Sequence, residues 1–219
     1  MIEDIITKAG TKMKAGAGMV HDKSGLLDFV TDKDVQIQEY LDLLDLTVDI
    51  PTEFIPVKDE KSYRTVVSQP GMRYSQAEAL VQQLLLDKEF QTISAVERAE
   101  ILERILNEIR GRMMEEILLL ETKMAYPDKQ VFKLQFAIGE FDMVVVDPAS
   151  ITTEIYEIKH SAEMVPEQYK NLIDEEKCRA TEFRFGTITK KAVIYRGEDA
   201  VDGDIRYLNV ENYLRSLGA

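Results

Sequence analysis

Residues 140–160 read EFDMVVVDPASITTEIYEIKH, and the fold turns on them. The run 140–147 is rich in β-branched and aromatic residues, and so is 154–160, EIYEIKH; both predict strands. Asp147-Pro148-Ala149-Ser150 is a run of turn formers, so the segment predicts a β-hairpin. With the turn centred between Ala149 and Ser150, paired residue numbers sum to 299, which sets Asp142 opposite Glu157 and Glu140 opposite Lys159. Strand side chains alternate, so these four share one face, and opposed β-carbons lie about 4.5–5.5 Å apart. A one-residue slip would undo that placement, whereas Glu157-x-Lys159 stays together in any register.

Two carboxylates so close repel, and a pKa rises unless a cation sits between them. Magnesium suits the gap, because it takes carboxylate oxygens and keeps several waters. A metal there can activate water and polarise a phosphodiester, with the lysine positioning that water or stabilising charge on phosphorus. The same residues also describe a solvated cross-strand Glu–Lys face of little energetic worth.

Working outward, VFKLQFAI (131–138) and KKAVIYR (190–196) predict further strands, and 205–208 a short one. Ser94 and Glu97 form a capping box that opens a long helix over about 95–124, with Leu102, Leu106, Ile109, Met113, Ile117 and Leu120 as its buried stripe. Gly111 inside it marks close packing or a break. Ser75 and Glu78 repeat the box, predicting a helix from Ser75. Further helices are expected over about 165–179 and 210–217. Upstream, Asp32 caps an expected helix over about 33–44, and EFIPV (53–57) and SYRTVV (62–67) predict two strands joined by KDEK. A helix followed by such a hairpin reads as a winged-helix remnant or as a small α+β extension. The expected organisation is an N-terminal extension over 1–69 and a main domain over 70–219. The centre of residues 1–25, KAGTKMKAGAGM, is expected to be poorly ordered.

Composition narrows the chemistry. The 219 residues, 45% hydrophobic and 31% charged, suffice for a globular core. No apolar run of about 18 residues predicts a membrane span, and MIEDIITKAG lacks a signal-peptide core, so the expected location is cytoplasmic. One cysteine, Cys178, and two histidines, His21 and His160, exclude an internal disulfide and a cysteine- or histidine-built metal centre. Any metal would be a hard cation held by oxygens. The pattern G-x-x-x-x-G-K-[ST] is absent, so this chain carries no Walker-type ATP site. The net charge of −13 is spread along the chain, with 13 basic and 20 acidic residues in 1–110 and 14 and 20 in 111–219. Such a chain repels nucleic acid at long range, so DNA binding needs a basic patch or a more basic partner. Residues 159–196, with eight basic against six acidic residues, come nearest to such a patch.

Asp142 followed by Glu157-Ile158-Lys159 resembles the PD-(D/E)XK nuclease superfamily. The pieces QPGMRYSQAEALV, EIRGRMMEEILLLETK, VFKLQFAIGEFDMVVVD, EIYEIKHS, EQYKNLIDEEKC and YLNVENYL, spread over about residues 63–215, resemble one branch of it. That branch is the nuclease-like C-terminal domain, of unknown function, found behind the ATPase domain of prokaryotic AAA+ proteins. The resemblance implies an α+β or α/β, restriction-endonuclease-like mixed sheet flanked by helices. It implies Asp142 and Glu157 as metal-binding acids for Mg2+ or Mn2+, Lys159 as the catalytic lysine, and Glu115 as the helix glutamate, with Glu116 its rival. Leu118 and Leu119 predict a half-buried Glu115 beside the core. The proline of the superfamily's first element is missing, since Glu140-Phe141-Asp142 stands there. The Q-x-x-x-Y of some members is broken, with Leu172 at that spacing from Gln168, which leaves Gln168 doubtful as a site helper. Strand parity turns His160 away from Lys159, which favours packing for it, and Cys178 reads as a small core residue. The implied partners are DNA and an AAA+ ATPase domain in cis or in trans, the only source of ATP, and an oligomer would fit such an assembly. Two functions follow: metal-dependent hydrolysis of DNA, or a non-catalytic module serving an ATPase in regulation, assembly or DNA targeting.

Overall fold

A computed structural model describes residues 46–58 and 62–218 of the chain. The expected helix of 33–44 and the segment 1–25, His21 included, lie outside the described residues. Contacts divide the chain into two compact units, one holding residues 71–109 and the other the described residues of 48–70 and 110–219.

In the first unit α1 (Gly71–Leu85) starts directly after Pro70, so Ser75 falls inside the helix rather than at its cap. A single 3-10 turn follows at Phe90–Thr92, where Asp87 Oδ1 accepts from the amides of Glu89 (2.9 Å) and Phe90 (3.2 Å). The Ser94–Glu97 box forms as expected: Glu97 N donates to Ser94 Oγ, and Ser94 N to Glu97 Oε2, each at 3.3 Å. It opens α2 (Ala95–Ala125), whose residues from Arg110 onward belong to the second unit. Gly111 neither breaks this helix nor permits a close approach, since a β-carbon there would meet nothing within 4 Å. The buried side chains of its second half are Met114, Glu116, Leu118, Leu119, Leu120 and Thr122. Met113 and Ile117, expected in the stripe, are only half-buried. Three consecutive leucines leave the phase undefined in sequence, and packing against the sheet selects it.

The second unit is built on a mixed sheet of eight strands among the described residues, ordered β2-β1-β3-β4-β5-β6-β8-β7. The strands are β1 (Thr47–Ile55), β2 (Ser62–Val67), β3 (Gln130–Phe136), β4 (Glu140–Asp147), β5 (Thr152–Ile158), β6 (Thr187–Tyr195), β7 (Ala200–Asp202) and β8 (Ile205–Asn209). The fold is α+β. Strands β1 and β2, expected in an extension ending at residue 69, belong to this sheet. β1 runs parallel to β3 in the register Thr52–Lys133 and Phe54–Gln135, and Ile50 and Val66 are wholly buried in the core.

Each face of the sheet carries its own apolar layer. Met143, Val145, Tyr156, Ile158 and Ile194 pack with Met114, Leu118 and Leu119 of α2 and Tyr213 of α4 (Val210–Leu217). Phe132, Phe141, Val144, Val146, Ile155 and Val193 pack on the other side with Leu172 and Cys178. Phe141 and Met143, two apart on one strand, therefore lie in opposite layers. A β-bulge causes this: Phe132 pairs with Val144 and Leu134 with Phe141, so Asp142 and Met143 together oppose Lys133.

The helix expected over 165–179 is two elements. Pro166–Tyr169 forms a 3-10 turn, and α3 spans Glu175–Phe185. The side chain of Asp174 accepts from the amides of Glu176 (3.0 Å) and Lys177 (3.1 Å), and this cap starts a new helix. These bonds, that of Lys177 first, hold the Asp174 carboxyl below its usual range. Gly186 ends α3 at φ +99°, where a β-carbon would lie 2.1 Å from the Ile151 carbonyl oxygen. Among the described residues no helix is long and apolar enough to cross a membrane.

Ile151, at the tip of the β4–β5 hairpin, has φ +54°. A β-branched side chain pays for that left-handed conformation with no burial in return, since Ile151 is 67% exposed. Ile151→Asn is expected to raise stability by about 1 kcal/mol, read as a higher urea midpoint with an unchanged slope.

Candidate active site

The β4–β5 hairpin forms in the expected register. Met143 pairs with Tyr156, Val144 with Ile155, Val145 with Glu154, Val146 with Thr153 and Asp147 with Thr152, each pair summing to 299. Asp147 closes the turn, its Oδ1 accepting from Ala149 N (2.9 Å) and Ser150 N (3.3 Å).

One step beyond the last ladder pair, Asp142 and Glu157 converge on Lys159. The lysine Nζ donates to Asp142 Oδ2 at 2.9 Å and to Glu157 Oε2 at 2.6 Å. The backbone N–H of Ile158 donates to Asp142 Oδ2 at 2.8 Å, so a side chain of β4 replaces the ladder bond there. Glu157 Oε1 accepts from Asn171 Nδ2 at 2.9 Å. Asp142 is 4% and Glu157 3% exposed, which removes the reading of a solvated salt-bridge face.

Electrostatics follow from that burial. Burial first, and then the charge of Asp142, push the Glu157 carboxyl up to about 7, against the pull of Lys159 and Asn171. Burial works against the Lys159 ammonium, but Asp142 and Glu157 outweigh it, and its pKa is raised. A carboxyl with a raised folded-state pKa keeps a proton that the unfolded chain has already released. Its contribution is therefore fully present at low pH and is lost as pH rises from the ordinary value of 4.5 through about 7. The chain is expected to be about 2 kcal/mol more stable near pH 5 than near pH 8 on this account, and Glu157→Gln to flatten the profile of urea unfolding free energy against pH. Asp147 and Asp174, whose carboxyls are lowered, act with the opposite sign and only below their ordinary range.

Glu115 is half-buried, as Leu118 and Leu119 predict. Burial raises its pKa, the charge of Asp142 adds to this, and Lys133 and Arg64 oppose it. It lies 3.3 Å from Arg64 Nη1 and 3.7 Å from Lys133 Nζ. Glu116 is 0% exposed and takes Arg64 Nη2 at 3.2 Å. Glu115 is thus electrostatically coupled to Asp142. Glu140 does not meet Lys159; it pairs with Lys133 at 2.7 Å.

Three contributors escape a reading by pattern. Lys133, 8% exposed, stands opposite the bulge and joins Glu115 to Glu140. Asn171 holds Glu157, and Lys177 Nζ donates to Asn171 Oδ1 at 2.6 Å. Because lysine only donates, this contact fixes the amide with its NH2 toward Glu157. Gly139, at φ +82°, lets the β3–β4 turn close over this pair: a β-carbon would lie 2.9 Å from Asn171 Oδ1 and 3.0 Å from Lys177 Nζ. Their signal is tertiary, a loop residue brought to a strand end, and no spacing carries it.

The remaining candidates lie apart from the acids. Gln168 Nε2 donates to Ser161 Oγ (2.7 Å) and the Glu163 carbonyl (2.8 Å), so it organises the 161–168 loop. His160 is half-buried, and burial, then Arg196 and Arg110, lower its pKa. Cys178 is buried with Sγ donating to the Leu172 carbonyl at 3.2 Å, a core role.

The donor set fits a hard cation in chemistry. No group of three histidine, cysteine, aspartate or glutamate side chains is arranged as a metal cage among the described residues, but magnesium needs only one or two carboxylates plus waters. Asp142, Glu157, Glu115, Glu116 and Glu140 face Lys159, Lys133 and Arg64. Comparison with family models, curated proteins and solved structures finds no match, so the functional reading rests on this geometry.

Proposed function

We propose that the chain is a PD-(D/E)XK-type nuclease-like domain, with a restriction-endonuclease-like arrangement of its mixed sheet. It hydrolyses phosphodiester bonds of DNA with Mg2+ or Mn2+ and serves an AAA+ ATPase domain in cis or in trans. The observation that carries this reading is the meeting of Asp142 and Glu157, from adjacent antiparallel strands, on Lys159.

Asp142 and Glu157 would hold the divalent ion, with Glu115 alongside. When bound, the ion supplies positive charge to the phosphoryl oxygens and a more acidic water. The Ile158 amide keeps Asp142 in place, and Asn171 keeps Glu157 in place. The Lys159 ammonium donates a hydrogen bond to a non-bridging phosphate oxygen or to the attacking water, where negative charge grows. Near neutral pH, Glu157 stands near its midpoint, so the site is poised to release a proton as it gains a cation.

The test is cleavage of supercoiled plasmid and single-stranded DNA with Mg2+ or Mn2+, wild type against Asp142→Ala. Cleavage by the wild type alone is expected; equal, undetectable activity in both overturns the nuclease reading. The net charge of −13 favours the second reading, a non-catalytic interaction or DNA-targeting module. A DNA affinity that falls steeply with salt supports engagement of the backbone, and absence of binding at low salt leaves protein contacts.

A further inference from the structure

We propose that Lys159 is the site's own counter-ion: it sits on the two carboxylate oxygens a divalent cation would use, and it leaves them when the cation is bound. Cation loading then frees the ammonium to face the reacting phosphate. The inference rests on the metal reading above and adds how that site is loaded.

Three observations carry it. The lysine Nζ lies 2.9 Å from Asp142 Oδ2 and 2.6 Å from Glu157 Oε2, so a second cation cannot share those oxygens without strong repulsion. The carboxylates have other anchors, Ile158 N at 2.8 Å and Asn171 Nδ2 at 2.9 Å, which hold them when the lysine departs. The Lys159 side chain is 31% exposed against 5% and 4% for the two acids, so it has a route toward solvent that they lack. Its backbone stays fixed, with Lys159 N donating to the Ile194 carbonyl at 2.9 Å. Only the flexible four-carbon stem has to swing.

The neighbouring cations do not substitute for it. Lys133 is engaged by Glu140 and Glu115, Arg64 by Glu115 and Glu116, and Lys177 by Asn171 and Asp174. Removing the lysine charge should therefore strengthen cation binding even as it removes a catalytic group.

The experiment is a calorimetric Mn2+ titration of wild type, Lys159→Met, Lys159→Arg and Asp142→Asn. Lys159→Met is expected to bind Mn2+ at least about tenfold tighter than wild type, because a unit positive charge within a few ångströms has gone. Lys159→Arg, which keeps the charge, is expected to bind no tighter than wild type, and Asp142→Asn to lose binding. If wild type binds and Lys159→Met binds equally or more weakly, the counter-ion role is overturned and the metal reading stands. If neither binds, both fall. A second measurement needs no variant: reductive methylation of Lys159, followed by mass spectrometry, should increase when the wild type is saturated with Mg2+. Unchanged labelling in a protein that binds Mg2+ overturns the proposal even if Lys159→Met fails to fold.

Discussion

Lys159→Ala is expected to cut DNA about 10²–10³-fold more slowly than the wild type, the usual cost of losing one preorganised donor at a charge-developing centre. The change should fall on the rate at saturating DNA rather than on DNA affinity, because one ammonium among 27 basic residues adds little to long-range attraction. The variant should also retain Mn2+. A protein that binds metal at least as well as the wild type and cleaves far less is hard to explain by damaged folding, since the carboxylates must be in place to bind. Single-turnover cleavage measured beside the metal titration separates the two effects. Wild-type cleavage that survives the substitution within a factor of three or so would remove Lys159 from the chemistry.

Arg64→Ala is expected to destabilise the fold by about 3 kcal/mol. The guanidinium reaches Glu115 at 3.3 Å through Nη1 and Glu116 at 3.2 Å through Nη2, and Glu116 is 0% exposed. A carboxylate so deep in the protein cannot recover by hydration what it loses in charge pairing. The doubly substituted Arg64→Ala/Glu116→Gln chain should regain part of the loss, because the second change removes the charge that the first exposed. Urea unfolding of the wild type and the two variants at neutral pH measures this. A loss below about 0.5 kcal/mol for Arg64→Ala would mean that the surrounding structure satisfies Glu116 without the guanidinium.

The hairpin was legible because its information is local. Asp147 closes the turn through its own side chain, flanking residues are β-branched, and the register then follows by counting. The convergence of Asp142, Glu157 and Lys159 came with it. Glu140 was misplaced for a reason equally physical: the bulge opposite Lys133 ends simple alternation, and a bulge leaves no mark in composition. Ser75-x-x-Glu78 imitated a helix start inside a helix that had begun at Gly71, since a capping box is decisive only where the chain is not already helical. The expected helix of 165–179 failed through the same ambiguity reversed, because Asp174 reads as an ordinary helix residue until its side chain takes the amides of Glu176 and Lys177. Asn171, Lys177 and Lys133 reach the site through long-range packing. The place of β1 beside β3 is also a tertiary fact, because strands far apart in sequence can pair in parallel without a local signal.

The supernumerary residue of β4 acts as a dislocation in the strand. On one side of it even-numbered residues face the α3 layer, and on the other side odd-numbered Phe141 does. The count of residues here is thus constrained more tightly than their identities: a leucine in place of Met143 keeps the phase, whereas deleting Met143 heals the ladder, leaving Phe141 opposite Leu134 but setting Asp142 opposite Tyr156 instead of Glu157. A chain one residue shorter at this point would still spell out the aspartate, the glutamate and the lysine, and would no longer bring them together.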